Sequence, residues 1–262
     1  MKINSVIKLL DDELKLKPQE DWDNSGLQIG DINSNIKTVM LTLDIDLNVV
    51  NYAIEHKVDL IITHHPFLFS SLKSIDYNSY DGKIIHALIT NNVNLYSMHT
   101  SLDMAEKGVN YELANKLSIN KFQVLHQVND DNSGYGGIGS IDAKNIVEYA
   151  KQVKLLLNCR SIKLYCNNEN QLIKKVAFCG GSGSDFIDDA ISCGADVYIT
   201  GDIKYHQAQK ALNNKLSIID AGHFYTENHI MTTLKNILEK SKQAKELHII
   251  LLNTNTVEEK II

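Results

Sequence analysis

The sequence is poor in the features that mark several common classes of protein. Only two of its 262 residues are proline. No run of about 18 or more apolar residues occurs, so we expect no membrane span, and the N-terminus lacks the apolar core of a signal peptide. Basic residues are outnumbered, 26 against 32 acidic ones, and the net charge of −6 argues against an extended nucleic-acid surface.

Cysteine is also scarce, with four residues that form no C-x-x-C motif. Their spacing suits neither a zinc knuckle nor a disulfide framework. We therefore expect Cys159, Cys166, Cys179 and Cys193 to be reduced thiols in a cytoplasmic protein, where they act as small buried hydrophobic groups.

Short, almost continuous apolar runs are present instead, and this character is typical of strands that are covered on both faces. They predict strands at Val39–Leu43, Leu60–Thr63, Val93–Met98, Val176–Cys179, Val197–Thr200 and Leu216–Ile219. Stretches with helical spacing lie at 3–16, 46–57, 82–91, 105–117, 142–157, 184–193, 204–213 and 226–241. Two further strands are expected near 161–166 and at Leu247–Leu252. Alternating strands and helices predict βαβ units on mostly parallel sheets.

The chain also contains an internal echo. Val39 and Asp59 match Val176 and Asp196 at the same offset of 137 residues. We interpret this as two related β-α-β-α-β halves, a first half at 1–125 and a second at 126–262. The glycine-rich segment 129–139 is predicted to join them.

Histidine and carboxylate side chains follow several of the predicted strands. In parallel sheets ligands bind beyond the carboxyl ends of the strands, and these side chains together suit zinc, iron, manganese or cobalt. One histidine at a strand end is usually structural, but their repetition at one sheet edge favours a metal site. The candidate ligands are His64, His65, Asp103, His223 and Glu227. His223 and Glu227 share one helix face if that helix begins near Gly222.

Two weaker candidates lie in the second half. The loop with Gly180, Gly181 and Gly183 follows a strand and precedes a helix, so its N–H groups are candidates to bind phosphate. It matches neither G-x-G-x-x-G nor the P-loop pattern, and a tight turn explains it equally well. His206 opens the next helix and is a candidate acid or base, or a solvated residue of the first helical turn.

Several motifs together resemble one known family. The sequence is similar to the GTP cyclohydrolase I type 2 homologues, also described as Nif-three-like dinuclear metal centre proteins. The matching motifs extend along nearly the whole chain. They are Trp22-Asp23-Asn24-Ser25-Gly26-Leu27-Gln28-Ile29-Gly30, Leu43-Asp44, Thr63-His64-His65-Pro66-Phe67, His99-Thr100-Ser101-Leu102-Asp103, Gly108-Val109-Asn110, Thr200-Gly201-Asp202 with Tyr205-His206, and Gly222-His223-Phe224 with Thr226-Glu227.

The resemblance implies two related α/β halves that enclose a two-metal site. By matching motif, the ligands of two divalent ions (zinc, iron or manganese) are His64, His65, Asp103, His223 and Glu227, with His99 beside them. It also implies a homohexamer. Longer relatives carry a domain inserted at the middle, and this chain resembles the compact form. One departure is Gly137, where relatives commonly have arginine.

Two functions fit these features. The first is a metal-dependent hydrolase acting on a nucleotide or another small phosphorylated molecule, with His99 or His206 moving protons near neutral pH. The cyclohydrolase reaction is a special case that rests on the family name. The second is a metal-binding or regulatory scaffold, or a metal chaperone, without turnover. The sequence does not choose between them.

Overall fold

The computed structural model describes residues 1–128 and 133–257, which form two compact units. Unit 1 contains residues 1–102 together with the C-terminal part from Ile230, and unit 2 contains residues 103–229. Across the described ranges, no helix combines the length and apolar character that crossing a bilayer requires. All four cysteines fall within these ranges and none forms a disulfide.

The helices and strands follow the chain in a mixed α/β order. The described helices are α1 (Ile3–Leu14), α2 (Leu47–Glu55), α3 (Tyr80–Thr90), α4 (Thr100–Asp103), α5 (Val109–Lys116), α6 (Ile146–Leu156), α7 (Ile187–Ser192), α8 (Tyr205–Asn213), α9 (His223–Glu227) and α10 (His229–Lys240). The described strands are β1 (Gly26–Ile29), β2 (Thr38–Thr42), β3 (Leu60–Thr63), β4 (Asn94–Ser97), β5 (Phe122–Gln127), β6 (Gly134–Asn145), β7 (Lys163–Tyr165), β8 (Leu172–Phe178), β9 (Val197–Thr200), β10 (Ser217–Asp220) and β11 (His248–Leu251).

Each unit is built on one sheet. The sheet of unit 1 has the order β1-β4-β3-β2-β11, and that of unit 2 has the order β5-β6-β8-β9-β10-β7. Strands β11, β2, β3 and β4 are parallel, as are β8, β9 and β10. The predicted α/β fold with buried parallel strands is therefore confirmed. All four residues of β3 and of β9 are buried, as their continuous apolar runs predict.

The internal echo has a physical counterpart at the start of each parallel sheet. Asp59 Oδ2 accepts hydrogen bonds from the backbone N–H groups of Lys37 (2.7 Å) and Thr38 (2.9 Å). Asp196 Oδ2 does the same for Lys174 (2.7 Å) and Lys175 (2.8 Å). Each carboxylate thus ties the residue before one parallel strand to its neighbour, at the point where the two strands begin to pair.

The glycine-rich segment differs from its prediction as a join. Residues 129–132 lie outside the described residues, but Gly134 onwards belongs to the long strand β6, which pairs antiparallel with β5 and β8. A Cβ atom at Gly134 would overlap the carbonyl oxygen of His126 on β5. The glycines thus permit close strand packing. The strand β1 was missed too, because its four residues carry no continuous apolar run.

Several predicted helices have different limits. The helix expected at 105–117 begins at Val109, and the α-helix expected at 184–193 is Ile187–Ser192. The helix expected at 142–157 begins at Ile146, because β6 continues to Asn145, whose side chain caps α6 through the N–H groups of Val147 and Glu148. The helix expected at 226–241 is two helices, α9 and α10. Helix α9 begins immediately after Gly222, as the pairing of His223 with Glu227 requires.

The two contact units have different limits from the predicted halves. Strand β11 at the C-terminus pairs with β2 of unit 1, and the β5–β6 pair lies inside unit 2. Contact units describe packing, whereas the halves describe a repeat in the chain. A duplication with its boundary at residues 125 and 126 therefore stays a prediction.

The two aspartates give a matched test of the repeat. We expect Asp59→Ala and Asp196→Ala each to lower the free energy of unfolding by about 1–2 kcal/mol, because each removes the acceptor of two backbone N–H groups. Urea unfolding followed by circular dichroism measures both, with Asp142→Ala, an exposed aspartate on β6, as the control. A loss in only one variant would contradict an equivalent role.

Candidate metal centre

Three histidine rings of unit 1 meet at the carboxyl ends of neighbouring parallel strands. His64 and His65 follow β3, and His99 follows β4. One ligand nitrogen from each ring lies within 4.8 Å of the others. The ring centroids are 4.9 Å apart for His64 and His65, and 5.3 and 5.7 Å from these rings to His99. We call these residues the three-histidine group.

The backbone at the end of β3 explains how the rings of two adjacent histidines lie close to each other. The N–H groups of His64 and His65 both donate to the carbonyl of Leu43, at 3.1 and 3.2 Å. The Thr63 hydroxyl donates to the His65 carbonyl at 2.8 Å, and the Ser97 hydroxyl lies 3.3 Å from the same oxygen. The strand therefore ends in a turn, in which the two rings need not point to opposite faces.

Each ring of the three-histidine group is held through its Nδ1 atom. The acceptors are the Met98 carbonyl for His64 (2.8 Å), Asp44 for His65 (2.6 Å) and Asp23 for His99 (2.7 Å). Carbonyl and carboxylate oxygens only accept, so the proton sits on Nδ1 and the neutral ring has its lone pair on Nε2. Metal-binding histidines are commonly oriented in this way.

Asp23 is the most heavily bonded of these acceptors. It accepts from the hydroxyls of Ser25 and Thr100 (both 2.6 Å), from the backbone N–H of Asn24 (2.8 Å) and from His99. Burial alone would raise its pKa, but the side-chain hydrogen bonds outweigh burial and lower the pKa from 3.8 to about 2. Asp23 is therefore a fixed anion that orients the ring of His99.

The pKa of His99 is set by its burial and by the charged groups around it. Burial lowers its pKa, the neighbouring His64 lowers it further, and Asp23 acts in the opposite direction. The net shift is downward, so His99 is a neutral imidazole near pH 7. A neutral ring is able to accept a proton as well as to bind a metal.

Unit 2 contributes a histidine and a carboxylate from one short helix. His223 Nε2 lies 3.0 Å from Glu227 Oε2, one helical turn later on α9. His223 Nδ1 donates to Asp202 at 2.8 Å, the same arrangement as in unit 1. Glu227 is buried, and burying a carboxylate is costly without a positive or hydrogen-bonding partner.

Asp103 lies in the same part of unit 2 as Glu227. Burial raises the pKa of the Cys179 thiol, and the negative charges of Asp103 and Glu227 raise it further. Asn110 holds the backbone at Asp103 next to that at Gly180. Its side-chain amide donates to the Asp103 carbonyl at 3.2 Å and accepts from the Gly180 N–H at 3.0 Å. Two carboxylates thus act on one buried thiol.

The N–H groups of the predicted phosphate loop have hydrogen-bond partners inside the protein. The N–H groups of Gly180, Gly181 and Gly183 donate to the side chains of Asn110 (3.0 Å), Thr226 (2.9 Å) and Thr200 (2.9 Å). A Cβ atom at Gly181 would overlap the Glu227 carboxylate, so that anion lies directly against the loop. A phosphate would have to replace these partners, and phosphate binding by the loop stays a prediction.

His206 lies on the exposed first turn of α8. Its ring contacts that of Tyr205, with 5.2 Å between centroids. Of the described residues, His206 belongs to none of the groups of potential metal ligands. Its role as an acid or base stays a prediction.

The carboxylates that orient the histidine rings are not among the site residues predicted from the sequence. Asp44 lies two residues after the end of β2, so its place at the strand end was a usable signal. Asp23 gave no such signal, because it lies in a loop 76 residues before His99. Asp202 follows β9 and lies in the loop before α8.

The place of Gly137 is filled by aromatic rings. A Cβ atom there would overlap the ring of Phe178 and lie 2.7 Å from that of Phe122. The two rings pack edge to face with centroids 5.4 Å apart. In this chain an arginine at the position would have to displace them.

These features define a class: an α/β protein with two sheets and with histidines and carboxylates after its parallel strands. The family model for Duf34/NIF3 (NGG1p interacting factor 3) matches residues 1–257. The chain therefore belongs to the Duf34/NIF3 family, as its resemblance implies.

Relatives at more than 30% identity carry the other name that the sequence motifs suggest. "GTP cyclohydrolase 1 type 2 homolog" from Streptococcus pneumoniae is 38% identical, over 87% of this chain and 88% of that protein. The Clostridium acetobutylicum homologue is 34% identical, over 91% and 90%. The alignment to a Staphylococcus aureus homologue extends over 354 positions, more than this chain contains, so that relative has residues inserted that are absent here.

Solved structures agree with the fold. A Staphylococcus aureus protein has a TM-score of 0.88 at 29% identity, with 100% of this chain and 99% of that one covered. Reduced HcgD from Methanocaldococcus jannaschii has a TM-score of 0.83 at 28% identity, with 97% and 98% covered.

Two glycines with left-handed backbone conformations test the packing around Glu227. Gly181 and Gly194 have φ of 63° and 69°, but a Cβ at Gly194 would meet no atom within 4 Å. We expect Gly194→Ala to cost about 1 kcal/mol for the backbone alone. Gly181→Ala should cost about 1–3 kcal/mol more, through overlap with the carboxylate. Equal losses in urea unfolding would contradict this packing.

The low pKa of Asp23 predicts a stability change in acid. A carboxylate with a lowered pKa stabilises the fold above its unfolded pKa and loses this effect as pH falls through the folded value. We expect Asp23→Asn to cost about 2 kcal/mol at pH 7, and the difference from the parent to shrink between pH 4 and pH 2. Urea unfolding across this range measures it, with the exposed Asp21→Asn as the control. A constant difference would contradict the assignment.

Proposed function

We propose that this protein binds two divalent metal ions and that its ligands are His64, His65, Asp103, His223 and Glu227. Imidazole and carboxylate donors suit zinc, iron and manganese. The observation that carries the proposal is the three-histidine group, where Nδ1 hydrogen bonds leave Nε2 of His64 and His65 as the metal-binding atoms and Nε2 of His99 as a proton acceptor beside them. The buried Glu227 beside His223 adds a carboxylate whose burial a cation would offset.

We further propose that the metal centre serves hydrolysis of a nucleotide or another small phosphorylated molecule. Divalent cations at such ligands supply positive charge that polarises water and the bond it attacks. His99 fits the role of proton carrier, since burial keeps it neutral and Asp23 would stabilise its protonated form. The relatives named "GTP cyclohydrolase 1 type 2" include one from Helicobacter pylori, and that reaction is one case of this class.

A metal-binding or regulatory scaffold without turnover is the second candidate. The amides of Gly180, Gly181 and Gly183 favour it, because they are engaged inside the protein and supply no anion site. Both candidates share the same ligands, so metal binding is tested first and turnover second.

The metal content per chain tests the metal binding that both candidate functions require. We expect about two ions in untagged parent protein by elemental mass spectrometry. Glu227→Gln should lose much of this content with the circular dichroism spectrum unchanged, because it removes one charged ligand and keeps the side-chain size. Glu239→Gln, an exposed glutamate on α10, is the matched control. Full metal content in Glu227→Gln would remove that residue from the ligand set.

Turnover then separates the two candidates. Metal-restored protein is assayed with nucleoside triphosphates and small phosphate esters. Hydrolysis that Glu227→Gln abolishes and Glu239→Gln retains would support the enzyme. Stable metal binding with no turnover would support the scaffold. Sedimentation of the same samples tests the homohexamer that the resemblance implies.

A further inference from the structure

Two large aromatic side chains lie exposed beside the three-histidine group. Trp22 is 59% exposed and Phe69 is 52% exposed. Their rings pack edge to face with centroids 6.1 Å apart, and they lie 6.0 and 6.3 Å from the ring of His99. Exposed aromatic groups cost free energy in water, so their grouping next to candidate metal ligands marks a binding surface.

Behind these rings lies a cavity of about 730 Å³ within unit 1. This volume is within the range of small-molecule sites. Its walls come from the loop after Trp22 and from the segment around Phe69, with Ile85 and Ile89 of α3 also lining it.

Hydrogen bonds join the two walls before any ligand arrives. Asn24 Nδ2 donates to the Leu68 carbonyl (2.6 Å), the Leu68 N–H donates to Gln28 Oε1 (3.0 Å), and Gln28 Nε2 donates to the Asn24 carbonyl (2.6 Å). A site whose walls are already fixed loses little conformational entropy on binding.

The residues that line the cavity favour an uncharged group of the ligand. Among the described residues, no lysine or arginine lines the cavity, so it supplies no side-chain cation for a phosphate. Its one carboxylate, Asp23, is engaged by Ser25, Thr100 and His99. Aromatic and aliphatic walls with the hydroxyls of Ser70 and Ser71 suit a flat, neutral ring with polar edges.

We propose that this cavity binds an uncharged planar heteroaromatic ring of the nucleobase class, which packs against Trp22 and Phe69. The edge of that ring then lies next to His99. The inference rests on the proposed function, since it names the part of the substrate that the metal centre would act beside. Charged groups of the ligand remain outside the cavity.

The single tryptophan of the chain makes the test direct, because all indole fluorescence comes from Trp22. The probes are adenosine and guanosine, with ribose 5-phosphate as the ligand that lacks a ring. Each is titrated into metal-loaded and metal-stripped protein. The variants are Phe69→Ala and, as the matched control, Tyr77→Ala, whose exposed ring packs on His86 outside the cavity.

We expect saturable quenching by at least one nucleoside, and none by ribose 5-phosphate. Stacking on an aromatic side chain contributes enough that Phe69→Ala should weaken binding about fivefold or more. Tyr77→Ala should bind as the parent does, and the metal content of both variants should be unchanged.

Three results would overturn the ring site. The first is no quenching by either nucleoside in either metal state. The second is equal quenching by ribose 5-phosphate or equal binding by Phe69→Ala. The third is a change in sedimentation of Phe69→Ala without nucleoside binding, which would assign the surface to contact between copies. Normal metal content in each case would leave the metal proposal standing, whereas its loss in the parent would overturn that proposal separately.

Discussion

The arrangement of the histidines depends on one repeated hydrogen bond, from Nδ1 to an oxygen that only accepts. His64, His65 and His99 in unit 1 and His223 in unit 2 all make it. The bond sets both the orientation of each ring and the nitrogen that carries its proton. Without these acceptors each imidazole would rotate and exchange tautomers, and the four rings would not all carry their lone pair on Nε2.

The sequence predicts the parallel strands well, the antiparallel strands β1, β5 and β6 not at all, and the hydrogen bonds that hold the site poorly. Strands β3 and β9 follow from their apolar runs, and with them come the histidines at the end of β3. Strand β6 was missed, because its glycines suggest a loop until β5 and Phe178 are seen to need the space. Asp23 was missed as an acceptor, because nothing local in a loop indicates contact with a residue 76 positions away.

The two units resemble each other more closely in their backbone hydrogen bonds and conformations than in the side chains after their strands. The aspartates at 59 and 196 bond equivalent N–H groups, and the left-handed residues Lys57 and Gly194 precede equivalent strands at the same offset. Beyond those strands the residues differ, with His64-His65 in one unit and Gly201-Asp202 in the other. Strand pairing constrains the first set in both units. It does not extend to the residues after the strand ends, which are therefore free to differ between the units.

The pairing of β11 with β2 has a consequence for the order of synthesis. Unit 2 is one continuous stretch, and its chain is complete once residue 229 has left the ribosome. Unit 1 begins first, yet its buried strand β2 remains an unpaired edge until residues 248–251 emerge as β11. An open parallel edge is a template for foreign strands. In the nascent chain, the edge of β2 in unit 1 is therefore exposed to incorrect strand pairing until translation is almost complete.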